Sequence, residues 1–235
     1  MTEFHIDAGT RYAEVQGRVV LLNFKSEGYY VLDPVASSMW RQLALRRPSN
    51  EILRTLLGQY AVDAARLERD WDRFVNDCLQ AGFLTASPPP PPLAGARCRE
   101  PAPVRGFLTL RAWCSLFRAS RWLAKRGFSG AYWGFAGLPR PVAPAADAQA
   151  LLGRAVAAFS RAENVFHLRR APQDCLPRSL ALFGFLRRLG LGVEHVIGVQ
   201  MFPFLAHAWV EHRGRVVHED PANPQRFTTI ARISA

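Results

Sequence analysis

Apolar and polar positions follow one pattern near the start of the chain and another towards its end. Tyr12 to Val15, Arg18 to Phe24 and Tyr29 to Leu32 are β-rich runs broken by Gln16-Gly17 and by Glu27-Gly28, which predicts three short strands. Helical spacing takes over afterwards. Pro34 suits the first turn of a helix reaching about Leu45, and Ser49 with Glu51 nearby predicts the start of a second. Asp63 to Gln80 predicts a third, closed by Gly82. Together these describe a small winged-helix-like domain over residues 1–86.

The pattern then stops. Ser87 is followed by Pro88 to Pro92, and Pro101 and Pro103 come soon after, so residues 87–104 read as a polyproline II spacer. At about 3.1 Å per residue such a spacer reaches roughly 50 Å. Beyond it, Arg111, Arg118 and Lys125 recur at seven-residue spacing, with Leu110, Trp113, Cys114 and Phe117 on another face. This predicts an amphipathic helix packed on the C-terminal core, with Cys114 a core residue and Cys98 part of the spacer. Leu151 to Phe166 predicts another helix.

From Cys175 to about residue 189, Leu176, Leu180, Phe183 and Leu186 form a helical apolar stripe that ends at Gly190. Strand-like runs follow at Val193 to Gln200, Leu205 to Glu211 and Arg215 to Glu219, with Gly214 in the last connection. A helix leading into an antiparallel meander makes residues 105–235 a second domain and the whole chain α+β.

Chemistry concentrates at the start of that helix. Pro172 blocks helix before it, Asp174 is a plausible N-cap, and Pro177 is tolerated in a first turn where amide protons lack partners. Cys175 therefore sits at the positive end of a helix, which favours the reactive thiolate. On the middle strand His207 shares a face with Trp209 and Glu211, the placement of a general base. Two adjacent carboxylates, Glu219 and Asp220, compete to orient it. A three-residue loop, His212-Arg213-Gly214, pairs His207 with Glu219; a two-residue loop pairs it with Asp220 but needs positive φ at Arg213. Turn rules favour Glu219, and Asp220 stays open.

Composition narrows the remaining classes. The net charge of +11 is uneven: 10 Lys+Arg stand against 11 Asp+Glu through Ala86, and 20 against 8 beyond it. The front domain is thus slightly negative, which argues against a nucleic-acid surface. The basic remainder reads first as solvated helix faces and then as a surface for an acidic peptide, a partner or, less readily, a membrane, with nucleic acid the weaker reading. Four cysteines without metal-type spacing and no secretory signal point to a reducing cytoplasm. No apolar run is long enough to span a bilayer. His167, His195 and His218 show no metal-ligand pattern and are assigned no chemistry.

The run Gln173-Asp174-Cys175-Leu176-Pro177-Arg178-Ser179, the stretch His207-Ala208-Trp209-Val210-Glu211, and the tail Val216-Val217-His218-Glu219-Asp220-Pro221 with Arg226-Phe227-Thr228 resemble the transglutaminase-like cysteine protease of lasso-peptide biosynthesis, the B protein. The resemblance covers roughly the last ninety residues. It implies a papain-like fold with Cys175 as nucleophile and His207 as base, and with Glu219 standing where the family usually has Asp. By the same resemblance the enzyme removes the leader from a ribosomal precursor and needs no metal or cofactor. The freed core would pass to a separate ATP-dependent macrolactam synthetase.

Residues 1–86, with Tyr29-Tyr30-Val31-Leu32-Asp33, Ala36, Trp40 and Ala81-Gly82-Phe83-Leu84, are similar to a RiPP recognition element of the kind found in pyrroloquinoline quinone biosynthesis protein D. That resemblance implies capture of a leader peptide by strand addition. Gly28, Tyr29, Tyr30, Val31 and Leu32 would form the receiving strand, and Arg66, Arg69, Arg73 and Phe74 would complete the groove. Two other classes stay open on the residues alone: a transglutaminase-type acyl transferase, in which an amine rather than water resolves the thioester, and a non-catalytic scaffold or winged-helix regulator.

Overall fold

The computed structural model describes residues 4–87, 107–139, 148–166 and 175–234. They belong to two compact units, Met1–Leu93 and Ala94–Ala235. Apart from Ser87, the expected spacer lies outside the described residues, as do Cys98, His167 and the segment Pro172 to Asp174 expected to cap the Cys175 helix.

The first unit is the small α+β arrangement that its pattern predicts. β1 (His5–Ile6), β2 (Thr10–Val15), β3 (Arg18–Asn23) and β4 (Gly28–Val31) precede α1 (Pro34–Ala44), α2 (Ser49–Gln59) and α3 (Ala64–Gln80), and β5 (Leu84–Thr85) ends it. β2, β3 and β4 form an antiparallel meander in that order. Gln16 and Gly17 both have positive φ, which matches the twist of a two-residue hairpin. β1 pairs with β5, a contact two residues long and too short to show as alternation in sequence.

Asp33 and Asp63 cap α1 and α3 by accepting from the amides of Ala36 and Arg66. The expected Ser49 cap is not what starts α2: Pro48 takes the cap position, and Ser49 is the first helical residue without a side-chain cap bond. Trp40, Leu21, Ile52, Leu56, Trp71 and Phe74 fill the core.

The second unit stacks helices on a sheet. α4 (Leu108–Ala136) is interrupted at Gly127, whose φ of 65° is open to glycine and costly for other residues. α5 (Ala148–Phe166) and α6 (Cys175–Arg188) follow, then β6 (Val193–Gln200), β7 (Leu205–His212), β8 (Arg215–Val217) and β9 (Thr228–Ile233). The sheet order is β8-β7-β6-β9, all antiparallel. β9 is a fourth strand beyond the predicted meander.

α6 packs against α4 and against β6 and β7, and every residue from Ser179 to Arg187 is buried. Its sequence therefore carries more than the single stripe predicted. At its far end the buried Arg187 donates to the carbonyls of Val193 and Ser234, which ties the helix to both neighbouring chain segments.

The predicted face of α4 is inverted. Leu110 and Phe117 are 60% and 52% exposed, and Cys114 is exposed rather than core. The buried face of its first half carries Leu116 among the small residues Ala112, Ser115 and Ala119, which let the helix approach α6 closely; Ser115 Oγ donates to the Ala181 carbonyl at 2.8 Å. Contact with a crowded neighbour selects small side chains there, so Leu110 and Phe117 mark the outer face of this first half, whereas Phe128, Tyr132 and Phe135 are buried further along. Among the described residues, no helix is long and apolar enough to cross a membrane.

Candidate active site

Cys175 is the first residue of α6, and its side chain is partly buried. Cys175 and His207 line the same cleft, and the His207 ring and the amides of Ala208 and Leu176 act electrostatically on the thiol. His207 lies on β7, and its Nε2–H donates to Glu219 Oε2 at 2.8 Å. With Nε2 so engaged, Nδ1 is the ring nitrogen left to face Cys175. The Nδ2 amide of Asn223 donates to the same Glu219 oxygen at 3.3 Å.

Aromatic packing holds the imidazole in this orientation. Trp209 stacks near His207 with centroids 5.9 Å apart, and Phe227 lies 5.3 Å away. Trp209 is anchored in turn, its indole N–H donating to Glu211 Oε1 at 2.8 Å. Gly198, opposite His207 on β6, makes room for the wall: a Cβ there would stand 2.7 Å from the Trp209 ring and 2.8 Å from Phe227.

Electrostatics and geometry agree. Burial pushes the Cys175 thiol up, but the hydrogen bonds from His207 and the two amides outweigh it and bring the thiol below its ordinary value. His207 is raised to about 9 by its hydrogen bonds to Cys175 and then Glu219, against burial. The two shifts describe one coupled pair that favours thiolate and imidazolium together. The helix N-terminus adds to the same bias.

The hairpin that carries the carboxylates differs from the one expected. His212 pairs with Arg215, Glu211 with Val216 and Val210 with Val217, so the turn has two residues rather than three. Arg213 and Gly214 have φ of 51° and 73°, the conformation that the turn argument avoided; the mirror-image turn fits the strand twist well enough for an arginine to accept it. Continued in this register, the ladder would set Asp220 opposite His207. It is not continued: β8 ends at Val217, His218 adopts φ 73°, and Glu219 turns to His207. Asp220 is exposed, and its Oδ1 accepts from the Ala222 amide at 2.9 Å, closing the next turn.

Glu219 is therefore the carboxylate at the histidine, for a reason other than pairing register. The cleft around these residues also includes Arg178, Ser179 and His218. Sequence reasoning missed Asn223, the Ala208 amide and His218. A polar side chain four residues after Glu219 in a Pro-rich turn was the available signal for Asn223.

In the first unit Tyr30 is exposed and sets its ring edge-on to Phe83 at 4.9 Å, while Leu32 packs against the core. Arg66, Arg69 and Arg73 are exposed on α3, with Arg66 3.9 Å from Asp70. Phe74, expected in the groove, is instead in the core beside Trp71, because it shares the buried face of α3 with Leu67, Trp71 and Cys78. β4 is an open sheet edge. Leu32 N–H donates to the Val19 carbonyl, and the pairing of Tyr30 with Leu21 continues that alternation. The amides of Gly28 and Tyr30 thus point inward and those of Tyr29 and Val31 outward.

Comparison with known proteins places both units in families. Residues 113–232, just over half of the chain, match the transglutaminase-like superfamily, and residues 18–84 match coenzyme PQQ synthesis protein D. The microcin J25-processing protein McjB of Escherichia coli is 38% identical over 75 residues, covering 32% of this chain; the chain spans 36% of the length of that relative. Two solved structures are similar over 35% of this chain, each with a TM-score of 0.34. One is TbiB1 in complex with the TbiA(beta) leader peptide, 28% identical with 96% of that chain covered. The other is a lasso peptide synthetase B1 complexed with the leader peptide, 23% identical with 98% covered. The chain thus belongs to the transglutaminase-like superfamily, with a PqqD-type domain in front, the order of the lasso-peptide B proteins that its sequence resembles.

Proposed function

We propose that this protein is a leader peptidase of lasso-peptide biosynthesis: residues 1–86 bind the leader of a ribosomally made precursor, and Cys175, His207 and Glu219 cleave at the junction of leader and core. The observation that carries the reading is that Cys175, His207 and Glu219 line one cleft, with the His207 ring donating to the Glu219 carboxylate at 2.8 Å. The name of the similar protein from E. coli, a microcin-processing protein, supports the substrate class.

The chemistry follows from the charges. The lowering of the thiol and the raising of His207 to about 9 act together, favouring the proton on the imidazole and a thiolate at Cys175. The thiolate adds to the carbonyl of the last leader residue, His207 delivers its proton to the departing core amine, and a thioester of the leader remains on Cys175. Water, deprotonated by the now neutral His207, releases the leader. The Cys175 amide at the start of α6 is the oxyanion donor. Glu219 keeps the imidazole in the tautomer and orientation that both steps need. The freed core amine then passes to a separate macrolactam synthetase.

Recruitment rests on the open β4 edge. A leader added as a strand pairs with outward backbone groups, and tethering it to the peptidase raises the local concentration of the scissile bond. Val31→Pro in the full-length protein removes one outward amide and should weaken leader binding about tenfold or more, read by anisotropy of a fluorescent leader peptide. Cleavage of precursor at subsaturating concentration falls in parallel. Unchanged affinity in folded Val31→Pro would rule out strand addition at β4.

A further inference from the structure

A buried carboxylate beside the cleft belongs to no part of the proposed triad. Glu163, on α5, has a side chain only 8% exposed, accepts a hydrogen bond from His218 Nε2 at 2.8 Å, and pairs with the Nε of Arg178. The His218 ring is held further by Ser160, whose Oγ lies 3.3 Å from Nδ1, and by Phe159, edge-on at 5.3 Å. Ser160 and Glu163 are three residues apart, and Phe159 and Glu163 four, so the three present one face of α5 to this ring.

We propose that, granted Cys175, His207 and Glu219 as the triad, Glu163 is a positioning residue that acts through His218 to end β8 and turn Glu219, rather than Asp220, towards His207. The hairpin itself favours the opposite outcome. Extending the register of β7 and β8 would pair Trp209 with His218, Ala208 with Glu219 and His207 with Asp220, and Glu219 would then share the face of Ala208, away from the imidazole. The left-handed backbone of His218 is what prevents this, since no strand passes through φ 73°.

Histidine adopts that conformation only at a cost, so something must hold it. The side-chain anchor on α5 does so, through a charge-assisted hydrogen bond in a site with little water. Burial alone would raise the Glu163 carboxyl, but the hydrogen bonds from His218 and Arg178 bring it down to about 2, and it stays ionised. Arg178 stands three residues after Cys175 on α6. One carboxylate thereby fixes the loop of the acid and grips the helix of the nucleophile.

The test needs no peptide substrate. Alkylation of Cys175 by iodoacetamide is followed against pH in the full-length protein, by mass spectrometry of the Cys175 peptide, for the parent, Glu219→Gln, Glu163→Gln, His218→Ala and the double variant Glu163→Gln/Glu219→Gln. Glu219→Gln should move the midpoint up by about one pH unit, because a weaker imidazolium stabilises less thiolate. Glu163→Gln and His218→Ala should each move it the same way by about half a unit or more. The double variant should go no further than Glu219→Gln alone.

If Glu219→Gln shifts the midpoint while Glu163→Gln and His218→Ala leave it at the parent value, the positioning role is overturned and the triad stands. Additive shifts in the double variant overturn it equally. If Glu219→Gln produces no shift, the triad itself fails and the proposal with it. Should Glu163→Gln lose its fold by circular dichroism, His218→Ala decides alone, because alanine keeps the cost of the left-handed turn and only the anchor is removed.

Discussion

Cys175→Ala should abolish leader removal, lowering turnover by at least about 10⁴-fold, while leader affinity stays within about twofold of the parent. The two halves of this expectation have separate causes. Turnover falls because no other group in the cleft can form the acyl intermediate: Ser179 is the nearest hydroxyl there, but its Oγ donates to the Leu176 carbonyl, and its other neighbour, His195, is fully buried with its ring pushed down to about 3 by burial alone. Affinity persists because the proposed leader strand is β4, in the other unit. His207→Ala should be nearly as damaging, since the thiol loses its main stabilising hydrogen bond and the amine its proton donor. Both are read from precursor digests by mass spectrometry and from leader anisotropy. Cleavage surviving in purified Cys175→Ala would remove that residue from the chemistry.

Glu219→Gln should cost on the order of 10²- to 10³-fold in kcat/KM, and Asp220→Asn less than about threefold. Glu219 sits at 2.8 Å from the imidazole, whereas Asp220 is spent on the Ala222 amide at the surface. The pH profile should separate the two variants further. His207 is protonated below about 9, so the parent's rate should decline as pH rises through that value and the proton donor is lost. Glu219 is the second of the hydrogen bonds that hold His207 up, so Glu219→Gln should bring the alkaline limb to lower pH. Asp220→Asn should leave it in place. If Asp220→Asn proves the more damaging, the loop after β8 adopts the extended register in solution.

Legibility in the sequence tracked how local each cause was. The β2–β4 meander, α1 and α3 of the first unit could be read because turn or cap residues bound them within a few positions, as Gln16-Gly17, Asp33 and Asp63 do, whereas β1 and β5 are too short to read and α2 has no side-chain cap. β6 and β7 were equally clear from their β-branched and aromatic runs. Features set by distant contacts were not. The outer face of α4 looked like a core stripe because Leu110, Trp113 and Phe117 are large, whereas close approach to α6 selected Ala112 and Ala119 for the interior.

The acid shows the same limit more sharply. Turn preferences pointed to Glu219 by way of a three-residue loop, and the loop has two; Glu219 reaches His207 because β8 breaks at His218. That break correlates with contacts to Ser160 and Glu163, more than fifty residues earlier in the chain. No local rule connects such positions. Cys175 and His207 stood out because a helix start and a strand face are local statements.

The measurement that bears most directly on the account is the mass of the acyl-enzyme. Full-length protein mixed with its precursor and quenched in acid within the first turnover should carry an adduct equal to the leader minus water, located on the Cys175 peptide, while the core is released with a free amine. An adduct on any other residue, an adduct containing the core, or core release with no adduct at any quench time together with undiminished cleavage by Cys175→Ala would contradict it.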